Sequence, residues 1–115
     1  MKRVVIGIVG VLAVGLFAST ASAQDAKVDK GMKVYADQKC SICHSIGGKG
    51  NAKGILDDVG SKLKADEIHQ WIVDPAGMTA KTKAPRKPPM PAKYSALPKD
   101  DLDALVAYLA SLKKK

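Results

Sequence analysis

The chain has 115 residues, 46% of them apolar and only 4% aromatic, and 19 Lys and Arg against 11 Asp and Glu give a formal net charge of +8. That length fits one compact domain and excludes a barrel enzyme or a doubly wound sheet with a second substrate domain. The apolar share excludes a disordered chain, and two cysteines exclude a multi-disulfide scaffold.

Lys2 and Arg3 precede an apolar run over residues 4–18, and Ala21, Ser22 and Ala23 then supply the small side chains that signal peptidase reads. This order predicts a signal peptide over 1–23, cleaved after Ala23, and a single domain over 24–115. The run is shorter than the roughly 18 residues a spanning helix needs, and Gly7, Gly10 and Gly15 dilute it. A retained N-terminal anchor is therefore the weaker alternative, and the expected location is the periplasm, with no stable membrane insertion after cleavage. Phe17 leaves with the leader, so the domain keeps only Tyr35, Trp71, Tyr94 and Tyr108 as aromatic bulk. A domain so small is often marginal without a disulfide, a metal or another staple.

Val28, Met32 and Tyr35 recur at helical spacing with Gly31 on the same face, which predicts a first helix with Met32 in its apolar stripe. A glycine inside a helix costs about 1 kcal/mol relative to alanine. Close approach of a second helix would offset that cost.

Cys40, Ser41, Ile42, Cys43 and His44 then spell C-x-x-C-H, the attachment motif of c-type haem. One helical turn puts both thiols on the same side, where they can form thioethers with two vinyl groups, and His44 follows at once as an iron ligand. Three other readings fit less well. A redox C-x-x-C wants a thioredoxin-like βαβ setting, and no strand-rich pattern lies nearby. Zinc wants four ligands, whereas the only other histidine is His69. A vicinal disulfide suits an oxidising compartment but leaves His44 unexplained.

Beyond the motif, Gly47, Gly48 and Gly50 predict a loop, and Ile68, Trp71 and Ile72 a short helix ended by Pro75. Residues 79–91, with four prolines and four basic residues, predict an extended loop. Leu102, Leu105, Val106, Leu109 and Leu112 trace the stripe of a closing helix, with Asp100, Asp101 and Asp103 at its start and Lys113, Lys114 and Lys115 at its end, as the helix dipole favours. No strand and no internal repeat is expected.

If His44 takes one axial position of the iron, the opposite one has four candidates: Met32, Met78, Met90 and His69. Met32 reads as core and His69 as a surface or capping residue. Met78 and Met90 both fall in the predicted loop region. Pro88, Pro89 and Pro91 restrict the backbone around Met90 and lower the entropy cost of holding its thioether in place, which favours Met90, although a methionine is also a common gap-filler.

Taken together, residues 24–115 resemble the small class I (mitochondrial-type) c-type cytochromes, in their monohaem bacterial form, over nearly their whole length. The resemblance rests on Gly31 and Tyr35, on C-x-x-C-H at 40–44, on Met90 with Pro91, and on the closing run Leu102, Asp103, Ala104, Leu105, Val106, Ala107, Tyr108, Leu109. It implies an all-α fold of three to four helices wrapped around one covalently attached haem c, bound through Cys40 and Cys43. It implies His44 and Met90 as the iron ligands and Gly31 packed near Tyr108. It also matches residues 67–75 to the family's middle helix, where Trp71 either donates to a haem propionate or serves as plain core. One feature departs from the family. The proline whose carbonyl usually accepts from the proximal histidine is missing, since Lys53, Gly54, Ile55 and Leu56 occupy that region. A backbone carbonyl near Gly54 can still serve, because an acceptor of that kind does not depend on residue type.

The function these readings imply is a non-enzymatic electron carrier, shuttling one electron at a time between redox partners outside the cytoplasm. Lys81, Lys83, Arg86, Lys87 and Lys93 around Met90, with Lys39, Lys49 and Lys53 around the motif, imply partners with acidic docking surfaces, unless they are ordinary solvated lysines. Nucleic acid is not an expected partner, because no aromatic-interleaved basic patch is present. Two alternatives remain: a haem subunit of a larger dehydrogenase or oxidase, and a five-coordinate haem enzyme or gas sensor.

Overall fold

In a computed structural model of the chain, residues 10, 20–83 and 89–114 are described. Among these residues, five α-helices pack around a small core: α1 (Thr20–Asp37), α2 (Val59–Lys62), α3 (Ala65–Val73), α4 (Pro75–Thr82) and α5 (Lys99–Ala110). Three 3-10 turns, at Cys40–Ile42, Ala52–Gly54 and Ala92–Ala96, join them, and β1 (Ser45–Ile46) pairs antiparallel with β2 (Lys49–Gly50). That pair is the sole sheet among the described residues. The all-α expectation holds, with the short helices α2 and α4 added to the three that periodicity predicted, one more than the three to four the resemblance implied, and with a ribbon of two-residue strands where no strand was expected.

The core lies between α1, α3 and α5. Leu102, Ala104, Leu105, Val106, Tyr108 and Leu109 of α5 are buried, with Val34 of α1 and Ile68 and Ile72 of α3. The helices α1 and α5 cross at Gly31, where a Cβ would strike the Ala104 carbonyl oxygen and the Tyr108 side chain. The backbone contact that the in-helix glycine implied is therefore real. Beside it, the Tyr35 and Tyr108 rings meet edge to face with centroids 5.9 Å apart, a favoured aromatic geometry.

Two expectations need correction. Met32 is not core but 50% exposed. The buried arc of α1 is centred on Gly31 and runs from Val28 to Val34 and Tyr35, so Met32, one residue on, is turned about 100° away from it. The stretch from Thr79 is not all loop, because α4 runs to Thr82. Pro75 ends α3 and also opens α4 at its first position, where a proline's missing N–H costs nothing. The Asp74 side chain accepts from Gly77 N–H at 3.1 Å as the N-cap, and Lys83 closes the helix in the left-handed region at φ 53°. Pro85, Arg86, Lys87 and Pro88 lie outside the described residues, as does most of the predicted leader. Within α1, residues 23–27 are exposed and packing begins at Val28. No helix among the described residues is long and apolar enough to cross a membrane.

Candidate functional site

The cysteine motif forms a tight turn. Cys43 N–H donates to Cys40 O at 3.1 Å and His44 N–H to the same oxygen at 2.9 Å, so Cys40 and Cys43 occupy one turn, as their spacing predicts. Lys39, in the left-handed region at φ 56°, reverses the chain between α1 and this turn.

His44 then meets the loop that follows. Its Nδ1–H donates to the carbonyl of Gly54 at 3.1 Å. A carbonyl only accepts, so this contact requires the proton on Nδ1 and leaves the lone pair on Nε2, the tautomer a metal-binding imidazole needs. The acceptor sits where the sequence offered a glycine in place of proline.

Two adjoining lobes of one cavity, of about 220 and 240 Å³, open beside the motif and share Cys40, His44, Trp71 and Met90. Each is an order of magnitude larger than the roughly 10–15 Å³ that one water requires. Cys43, Thr79, Pro89, Pro91 and Tyr94 complete the outer lobe, with Lys39 at its rim, while Leu56, Val59, Leu63, Ile68, Ile72, Leu105 and Leu109 line the inner one. Cys40, Cys43, His44 and Met90 thus converge on one space from two segments far apart in sequence. Met78, His69 and Met32 line neither lobe. Met78 sits on α4, not in a loop.

Burial pushes the Cys40 thiol up to about 11. A thiol held that far above the ordinary range is not the low-pKa thiolate that dithiol redox motifs present, which counts against the thioredoxin-like alternative. Burial likewise raises the Tyr94 hydroxyl, with the two cysteines adding to the effect.

The walls were only partly foreseen. Leu56, Val59 and Leu63 follow helical spacing in the sequence, a signal that marks one apolar face and was masked by the shortness of α2. Tyr94, 8% exposed, lies in a 3-10 turn that has no periodicity to announce it.

The family model for cytochrome c matches residues 28–113, three quarters of the chain. The chain belongs to the cytochrome c family. As a cytochrome c, it works by haem-based electron transfer, and the family carries its haem c covalently. The chain is also 27% identical over 108 residues to cytochrome c oxidase subunit 2 of Alkalihalophilus pseudofirmus, a match that covers 86% of this chain and 30% of that protein. This cytochrome c therefore spans about a third of the length of that relative. No solved structure matches it. The cavity fits the family's cofactor: it is lined by two thiols, an imidazole in the right tautomer and a thioether, and its walls are mostly apolar.

Proposed function

We propose that this cytochrome c is an exported, single-haem electron carrier of the periplasm, with haem c joined by thioethers to Cys40 and Cys43 and its iron held by His44 and Met90. The observation that carries this reading is the convergence of those four residues on one apolar-walled cavity. When bound, haem c supplies an iron that gains and loses one electron.

The chain's own residues set the conditions. The Gly54 carbonyl holds the His44 ring in one tautomer. The Met90 thioether is a soft ligand that favours reduced iron over what a second imidazole would give. Leu56, Val59, Leu63, Leu105 and Leu109 give the inner lobe apolar walls, and such walls disfavour the extra positive charge of an oxidised centre. His44 and Met90 line the same cavity, and iron held by both would keep no position for a substrate, which favours a carrier over a haem enzyme or gas sensor. Lys39 at the cavity rim and exposed Lys49, Lys53, Lys81, Lys83 and Lys93 support acidic partner surfaces.

One finding favours a second reading, in which the same domain serves as the haem subunit of a larger complex. The relative is, by its name, a subunit of a cytochrome c oxidase. Gel filtration of native extracts separates the two, since a free carrier elutes as a lone small domain and a subunit elutes with its complex.

The test of the main reading is maturation in a host competent for haem attachment. A haemochrome on the denatured polypeptide in alkaline pyridine is expected. Changing both Cys40 and Cys43 to Ala should abolish it and, with the cavity left unfilled, unfold most of the domain. A wild-type band without haemochrome overturns the reading.

A further inference from the structure

The link between His44 and Gly54 has no proline to stiffen it, yet the loop is held at many points. Asn51 N–H donates to the carbonyls of Ser41 at 3.2 Å and His44 at 3.0 Å. Its Nδ2 donates to the Ile42 carbonyl at 3.2 Å. In the other direction, its Oδ1 accepts from Lys53 N–H at 2.9 Å, and its own carbonyl accepts from Gly54 N–H at 3.1 Å. Asn51 therefore grips the cysteine turn with one half and the turn Ala52–Gly54, which ends at the acceptor of His44, with the other. Gly50 makes the grip possible: it stands at φ 113°, and a Cβ there would strike the His44 carbonyl oxygen.

We propose that Asn51 is the positioning residue of the proximal ligand, its side-chain amide clamping the Gly54 carbonyl against His44 Nδ1–H. The proposal rests on the reading of His44 as an iron ligand. A glycine acceptor is the least self-ordered of residues. In place of the conformational restraint a proline ring would give, the side-chain amide fixes the carbonyl by spanning both turns. A firm bond from Nδ1–H makes the opposite nitrogen more basic. A more basic ligand stabilises oxidised iron over reduced iron and lowers the reduction potential. Loosening the clamp therefore raises it.

The test uses the haem-loaded protein and compares Asn51→Ala, which removes both side-chain bonds, with Asn51→Asp, which keeps the acceptor for Lys53 and loses the donor to Ile42. Gly60→Ala is the control. A Cβ at Gly60 would strike the Ala110 carbonyl oxygen at the far end of α5, so this change destabilises the fold away from His44. Asn51→Ala should keep its haem, raise the reduction potential, and speed exchange of the His44 Nδ1 proton in the reduced protein by about tenfold. Asn51→Asp should fall between Asn51→Ala and wild type, and it preserves the test if the alanine variant fails to fold. Gly60→Ala should lower the unfolding midpoint and leave both readouts where they were. An unchanged potential with an unchanged exchange rate in the Asn51 variants overturns the proposal, as does an equal shift in Gly60→Ala. Failure of wild type to bind haem, or a His44→Ala variant with the same spectrum, overturns the ligand assignment instead.

Discussion

On one side of α5, Ala104 and Tyr108 meet α1 so closely that Gly31 has no room for a methyl group. On the other side, Leu105 and Leu109 of the same helix face a cavity that α3, α2 and the Met90 segment leave open. Both faces are apolar and both belong to one twelve-residue helix. What differs is the partner. The first face is finished by polypeptide at van der Waals distance, whereas the second is shaped for something the chain does not encode. A domain with one Trp and three Tyr over residues 28–113 has little bulk with which to close both faces, and it closes the one that fixes the backbone.

The comparison can be broken first at the crossing. Gly31→Val should cost about 3 kcal/mol, since a β-branched side chain must push α1 away from the Ala104 carbonyl. That is a large share of the ~5–15 kcal/mol typical of a domain. Denaturant midpoints of the haem-loaded protein measure it, and the visible spectrum should change little.

A change on the cavity side should behave in the opposite way. Met90→Ala should leave the haem attached and the fold largely intact, but open the sixth position, read as high-spin ferric iron that takes up cyanide readily. Met78→Ala, on α4 and outside the cavity lining, should leave the spectrum as it was. An exchange of the two outcomes would reassign the distal ligand.

The smallest effect sharpens the boundary between the two faces. The Tyr35 hydroxyl is buried without a hydrogen-bond partner among the described residues, and burial, with Cys40 and Tyr108 nearby, pushes its pKa from 10.0 up to about 12. Tyr35→Phe removes the unmatched polar atom and should stabilise the fold by about 1 kcal/mol at neutral pH. The raised pKa means that the native state holds its proton while the unfolded chain loses it, so native stability falls as pH rises from 10 toward 12. Urea midpoints at about pH 9 and about pH 11 should therefore diverge less in Tyr35→Phe than in wild type. Tyr94 and Tyr108, both also raised by burial, should leave a residual slope.

Much of this was legible in the residues themselves. The stripe Leu102, Leu105, Val106 and Leu109 named the buried face of α5 because a helix repeats its surface every 3.6 residues. The cysteine turn followed from its spacing, and the Gly54 acceptor could be anticipated because a backbone carbonyl is present whatever the side chain. Met32 was misassigned because i, i+4 spacing from Val28 fits two neighbouring arcs, and only the seat of Gly31 on α5 selects one. The helix α4 was obscured because Pro75 is both a stop and a start, and Asp74 and Gly77 decide which by a single cap bond.

The order of residues alone determined that two thiols and an imidazole share one turn, that a glycine marks a helix crossing, and that the closing helix has an apolar face. Those are consequences of local geometry, which spacing encodes directly. Tertiary structure decided that Met90 shares the cavity with Cys40, Cys43 and His44 while Met78 does not, and that Asn51 bridges two turns. Such pairings depend on how far-separated segments come together in space, and no period in the sequence records a distance between them.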